Sequence, residues 1–192
     1  MKITGLRTQR LSFPFVCPLG TPYSTSAHMG ALAVFVDSDQ GLTGEGLLIA
    51  AHDKRFEVHQ AMVDSLAPLV VGKDPTFSEG LCEKARSDAH HLGTSGVVSM
   101  AIGALDSALL DLRAKLAGLP VHRFLGAVRD RVPAYYSSGL WNHVPIDKLV
   151  ATAHNIVSHG YRAMKLRVSP GALPQQVARV KAVREALGPD IK

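Results

Sequence analysis

Lys165 and Arg167 stand two residues apart in the run Tyr161-Arg162-Ala163-Met164-Lys165-Leu166-Arg167-Val168. Side chains alternate faces along a β-strand, so Ala163, Lys165 and Arg167 share one face and Met164, Leu166 and Val168 the other. Two long cations opposite an apolar face fit either a half-solvated strand or the wall of a polar cavity. In a cavity, the amine of Lys165 is a group that can take or give a proton, and the guanidinium of Arg167 attracts an anion. Other candidates are thinner. His90-His91 are chain neighbours without further ligands close in sequence, which reads as helix-to-loop polarity rather than a metal pair. Gly44-Glu45-Gly46 lacks the lysine and helix start of a phosphate loop and reads as a strand with close backbone packing. No Ser/His/Asp or Cys/His spacing stands out.

The elements that must position these residues follow from hydrophobic period and punctuation. Residues 2–11 alternate as a strand. Residues 12–29, with Pro14, Pro18, Gly20 and Pro22, read as a long irregular loop. Residues 31–36 and 42–49 are strands joined by the turn-rich Asp37-Ser38-Asp39-Gln40-Gly41, so the expectation is a small antiparallel sheet. Helices are expected over 54–70, 76–89 and 95–116. The last carries Val98, Ile102, Leu105, Leu109 and Leu112 at helical spacing, starts at Thr94 or Ser95, and stops at Gly118 and Pro120. From Val132 the grammar changes: strand 132–139, helix 146–159, strand 161–168, helix 173–187, and the lip of a further strand at 190–192. That βαβαβ order predicts a parallel sheet with covering helices, which needs more strands to bury both its faces.

Composition narrows the class. Hydrophobic residues at 46% and charged residues at 19% over 192 residues describe a globular chain with a real core. No apolar run approaches the ~20 residues of a membrane helix, and the N-terminus lacks a signal-peptide core. Cys17 and Cys82 make no disulfide framework and fit a reducing compartment. The expectation is a cytoplasmic protein without a membrane partner. Residues 1–122 carry 10 Lys/Arg against 12 Asp/Glu, and residues 123–192 carry 11 against 4. The basic second part has scattered cations rather than a run, so nucleic acid is not expected as a partner. Separation from acidic segments that normally follow accounts for the imbalance better.

The stretch Ala101-Ile102-Gly103-Ala104-Leu105-Asp106-Ser107-Ala108-Leu109-Leu110-Asp111-Leu112-Arg113-Ala114-Lys115, leading into Gly118-Leu119-Pro120-Val121-His122-Arg123-Phe124-Leu125-Gly126, resembles the hallmark helix and exit loop of the enolase superfamily. The similarity is to its mandelate racemase/muconate lactonizing enzyme branch. Gly160 through Val168 is similar to the second barrel strand of that branch, where a Lys-x-Lys motif carries a catalytic base. The resemblance implies an α+β capping domain over residues 1–126, an antiparallel sheet plus helices. Residues 127–192 would then hold the first βα units of an incomplete, truncated TIM-type α/β barrel. Barrel active sites lie at the C-terminal ends of the strands, which would place Lys165 and Arg167 there.

What the resemblance implies for chemistry is a Mg²⁺ ion on one Asp and two Glu, here expected past Lys192, and loss of the proton α to a carboxylate. The substrate would be a small hydroxy acid or sugar acid, and the enzyme a homo-oligomer. The motif is broken where the family's second Lys is Arg167, since Arg stays protonated and is a poor base. Three readings stay open. Lys165 is the base, its proton affinity reduced by the neighbouring guanidinium; Arg167 orients a substrate oxygen while a later strand supplies the base; or the strand is chemically idle. The substitution shifts weight from racemisation toward dehydration. Two capping-domain loops, residues 12–29 and the segment after Ile49, make Tyr23, His28 and His52 substrate-binding candidates beside Trp141 near the barrel mouth. The rival class is a non-catalytic truncated fragment that self-associates through its open sheet edge.

Overall fold

The first fifty residues, in which Ile, Val, Phe and Thr recur among leucines and glycines, hold three strands: β1 (Ile3–Gly20), β2 (Thr25–Ser38) and β3 (Thr43–Ala50). The computed structural model describes residues 1–20, 25–50, 55–168 and 171–192. The sheet order is β1-β2-β3, and β2 pairs antiparallel with β3 from Gly30 opposite Ala50 to Asp37 opposite Thr43. Strand alternation sends Leu32, Val34, Val36 and Leu48 inward, while Leu47 and Ile49 lie exposed on the other face. The expected loop at 12–29 is corrected: β1 and β2 extend through most of it. Pro14 and Pro18 misled the reading, because a proline is tolerated on an edge strand such as β1, where one side of the backbone needs no partner.

Helices cover the inner face. They are α1 (Phe56–Asp64), α2 (Ala67–Val70), α3 (Ser78–Asp88), α4 (Val97–Leu116) and α5 (Val121–Phe124). The single helix expected over 54–70 is split, because Pro68 has no N–H to donate back to residue 64. The expected cap at Thr94 or Ser95 is replaced by Gly96, at φ +60. Along α4, Val98, Ala101, Ile102, Leu105, Ala108, Leu109 and Leu112 are buried, the stripe that three- and four-residue spacing demands. β3 passes α4 at a distance only glycine permits. A Cβ on Gly44 would run into the carbonyl of Ala108 and sit 2.6 Å from Leu112 Cβ, and one on Gly46 would run into the carbonyl of Ala104. Charge fixes the same contact: Asp111 accepts the Glu45 N–H at 2.9 Å, and Lys115 Nζ pairs with Asp111 at 2.7 Å and Glu45 at 3.5 Å.

The second part of the chain holds α6 (Ile146–Ser158) and α7 (Leu173–Leu187). The strands expected at 132–139 and 161–168 shrink to one parallel bridge between Tyr136 and Met164. Pro133 removes a donor, and Gly139 turns the chain at φ +82, so only the middle pairs. Tyr136 N–H donates to Ala163 O at 2.9 Å and Lys165 N–H to Tyr136 O at 2.8 Å. On the other side Met164 N–H donates to Lys192 O at 2.9 Å and Lys192 N–H to Arg162 O at 3.0 Å. Residues 162–165 are thus bonded between the Tyr136 and Lys192 segments, in the order a βαβαβ unit requires.

The chain divides into two compact units, residues 1–14 with 28–128 and residues 15–27 with 129–192. Each has its own apolar cluster: one from Ile3 to Leu112, the other of Leu140, Trp141, Val144, Leu149, Ala153, Ile156 and Val183. Along α7, Leu173, Val177 and Val180 are exposed. Among the described residues no helix is long and apolar enough to cross a membrane.

Candidate active site

Residues 163–168 keep the alternation that their sequence demands. Met164 and Leu166 pack toward α7, where they line a groove with Val183 and Leu187. Lys165 is exposed, and among the described residues its Nζ makes no hydrogen bond or ion pair. Arg167 is half-buried, its backbone fixed by an N–H donated to Leu140 O at 3.0 Å. Its guanidinium carbon lies 5.0 Å from the centroid of the Trp141 ring, a cation–π stack. Its Nε is buried without a partner, and among the described residues no carboxylate pairs with it.

Trp141 is 6% exposed and follows the Tyr136 segment through Gly139 and Leu140. It is a packed residue that also carries the Arg167 stack. The turn it begins is closed by Val144 N–H donating to Trp141 O at 3.2 Å, and α6 starts directly after it. Tyr136 and Tyr161 meet edge to face at 5.1 Å and brace the two paired segments. The structure therefore brings Arg167 and Trp141 into contact and sets Lys165 on the same face of its segment as Arg167. His28 lies exposed on β2, on a strand rather than in the expected loop, and belongs to the first unit. Tyr23 and His52 lie outside the described residues.

The electrostatics of this unit are one-sided. The only ion pair among its described residues joins exposed Lys181 and Glu185 at 3.7 Å. Lys165, Arg167 and the buried Arg179 of α7 have no acid opposite them, so the site favours an anion. A carboxylate forked onto Arg167 would satisfy its orphaned donor. Sequence reasoning missed Arg179, which is 8% exposed and donates to the carbonyls of Val144 at 2.6 Å and Trp141 at 2.7 Å. A signal existed: Arg179, Val183 and Leu187 recur every four residues, placing the arginine on the helix's apolar stripe. Arg184, missed as well, ties the end of α7 to the carbonyls of Gly188 at 2.7 Å and Ile191 at 2.5 Å.

No three His, Cys, Asp or Glu side chains converge to hold a metal among the described residues. The described residues do not fit a Mg²⁺ site.

Residues 6–126 match the family profile for the mandelate racemase/muconate lactonizing enzyme N-terminal domain. Over 197 residues the chain is 30% identical to L-talarate/galactarate dehydratase of Salmonella typhimurium, covering 96% of this chain and 49% of that protein. It is 26% identical over 196 residues to L-Ala-D/L-Glu epimerase of Bacillus subtilis, covering 100% of this chain and 51% of that one. The crystal structure of L-talarate dehydratase from Polaromonas sp. JS666, complexed with Mg and L-glucarate, superposes with a TM-score of 0.90 at 31% identity. That match covers 99% of this chain and 52% of the other. The chain spans about half the length of the curated relatives it matches.

Proposed function

Because this chain belongs to the mandelate racemase/muconate lactonizing enzyme family, we propose that it supplies the capping domain and the first catalytic strand of an enzyme that removes the proton α to a carboxylate. The fold carries half of that statement: a three-stranded antiparallel sheet with helices, followed by the first βα units of a TIM-type barrel. The observation that carries the chemistry is Arg167, a guanidinium with an orphaned donor and no acid partner, on the same face as the free amine of Lys165. We assign Arg167 to the substrate carboxylate or a neighbouring oxygen, and Lys165 to the proton, as base or as the base's assistant. Trp141 lines the site and holds Arg167 in place. Tyr23, His28 and His52 are proposed to contact substrate from the capping domain.

The substrate class follows from the relatives. The Polaromonas enzyme was crystallised with L-glucarate and the Salmonella enzyme carries talarate and galactarate in its name. A hydroxylated diacid of that kind suits a face that carries the two cations Lys165 and Arg167 without an acid beside them. Dehydration fits an Arg at position 167 better than racemisation, which needs a base on each side of the carbon. Magnesium, present in those relatives, would neutralise the carboxylate. We place its ligands outside residues 1–192, and the steps assigned to Lys165 and Arg167 do not run through it. The enzyme would assemble as a homo-oligomer in the cytoplasm.

The test is α-proton exchange into deuterated solvent, with glucarate and galactarate, in protein that carries this chain together with a completed barrel. Lys165→Ala should lower exchange at least about a hundredfold, the scale of a positioned base. Exchange undiminished in that variant sinks the assignment. A complete protein silent toward every acid sugar and hydroxy acid would instead favour the non-catalytic reading.

A further inference from the structure

Arg179 has no evident reason to be buried. It is an arginine 8% exposed, its Nε is without a partner, and among the described residues no carboxylate offsets its charge. Burying a charge in that way is costly, and a methionine or leucine would pack α7 against α6 without the cost. What the guanidinium achieves is specific. Its two terminal nitrogens donate to Val144 O at 2.6 Å and Trp141 O at 2.7 Å, the two ends of one turn. That turn also holds the ring on which Arg167 stacks at 5.0 Å. A planar fork bonded to both carbonyls fixes their separation, as a flexible ammonium does not.

We infer that Arg179 is a positioning residue for the anion site: from α7 it locks the Trp141–Val144 turn, and through the indole of Trp141 it aims the guanidinium of Arg167. The assignment rests on the reading of Arg167 as the group that receives the substrate carboxylate. It extends the site from the paired segments to the helix behind them, which no comparison of site motifs would include.

Trp141 is the single tryptophan of the chain, which makes the test direct. Near-ultraviolet circular dichroism and acrylamide quenching of the 192-residue chain both read the indole's immobility and access. Arg179→Met should weaken the indole band and raise the quenching constant by at least about twofold each, as local opening of the turn would. Helix content should be unchanged. Arg179→Lys, which keeps the charge and loses the fork, should recover less than half of either signal. If both variants keep the native indole signature, the inference falls. If both lose helix content, Arg179 serves α7 as a whole and the inference falls equally. Calorimetric titration with glucarate, in protein that carries this chain together with a completed barrel, separates the two proposals. Binding weakened about tenfold in Arg179→Met, the order lost with one charge-assisted hydrogen bond, is the expected result. A completed-barrel protein blind to glucarate, with the indole changes intact in the 192-residue chain, removes the substrate reading of Arg167 and leaves Arg179's hold on the turn standing.

Discussion

Asp37 sits near the end of β2 and accepts from two side chains. Arg7 Nε donates to it at 2.9 Å and stacks over Phe35 at 4.2 Å, while the Thr43 hydroxyl donates at 2.6 Å. The Arg7 hydrogen bond holds the Asp37 carboxyl below the usual carboxylate range; partial burial opposes it, and Thr43 and the Arg7 charge add to it. A folded value below the unfolded one, about 3.9, means stability that is present above that pH and lost as pH falls through the lowered value. Asp37→Asn should therefore unfold at lower urea than wild type at pH 7, with the gap closing below about pH 4. An equal gap at pH 7 and pH 2.5 would contradict the pairing. Cys82 shows the opposite shift, its thiol pushed up to about 11 by burial and then by the charge of Asp106, so it is inert at neutral pH. At this scale the sequence was readable wherever period sufficed. Alternation alone put Lys165 and Arg167 on one face. Arg179 escaped because its partners are backbone carbonyls, which leave no mark in side-chain types.

At the scale of elements, the contact between β3 and α4 decides how the sheet sits. Gly46→Ala would force a Cβ into the carbonyl of Ala104, and backbone cannot swing aside as a side chain can. The expected loss is about 3 kcal/mol, the upper end for overpacking. Gly80→Ala on α3, with nothing within 4 Å of the added carbon, should instead gain up to about 1 kcal/mol. Urea denaturation of the two variants checks both. A Gly46→Ala protein as stable as wild type would refute the close approach. The Gly-x-Gly spacing announced this packing but not its partner, since only the fold shows that α4 lies there. The hairpin of β1 and β2 was misread for a different reason. Prolines and small polar residues signal loops in isolation, and whether a strand is at an edge is not a local property. The helix at 54–70 failed on the same principle in reverse, a periodic run cut by one proline.

At the scale of the whole molecule, two apolar clusters in two units predict two unfolding steps. Trp141 belongs to the second, so its fluorescence follows that unit alone, whereas far-ultraviolet dichroism follows both. Gly46→Ala should shift the dichroism transition to lower urea and leave the fluorescence midpoint in place. Coincident midpoints in both proteins would show one cooperative unit. The order of elements and the change of grammar near Val132 were legible, because period and punctuation are carried by the residues themselves. Strand lengths in the second unit were not, because a parallel segment is only as long as the neighbours that bond to it.

The β1–β2 hairpin has a consequence for the order in which the protein is made. Its distal residues 15–27 belong to the same unit as residues 129–192, while its base belongs to the other. On a ribosome adding about 5–20 residues per second, those distal residues emerge roughly 5–20 s before the first of their companions. The first cluster, complete by Leu112, can close around the base of the hairpin during that time. Residues 15–27 are therefore made well before the rest of the unit they join.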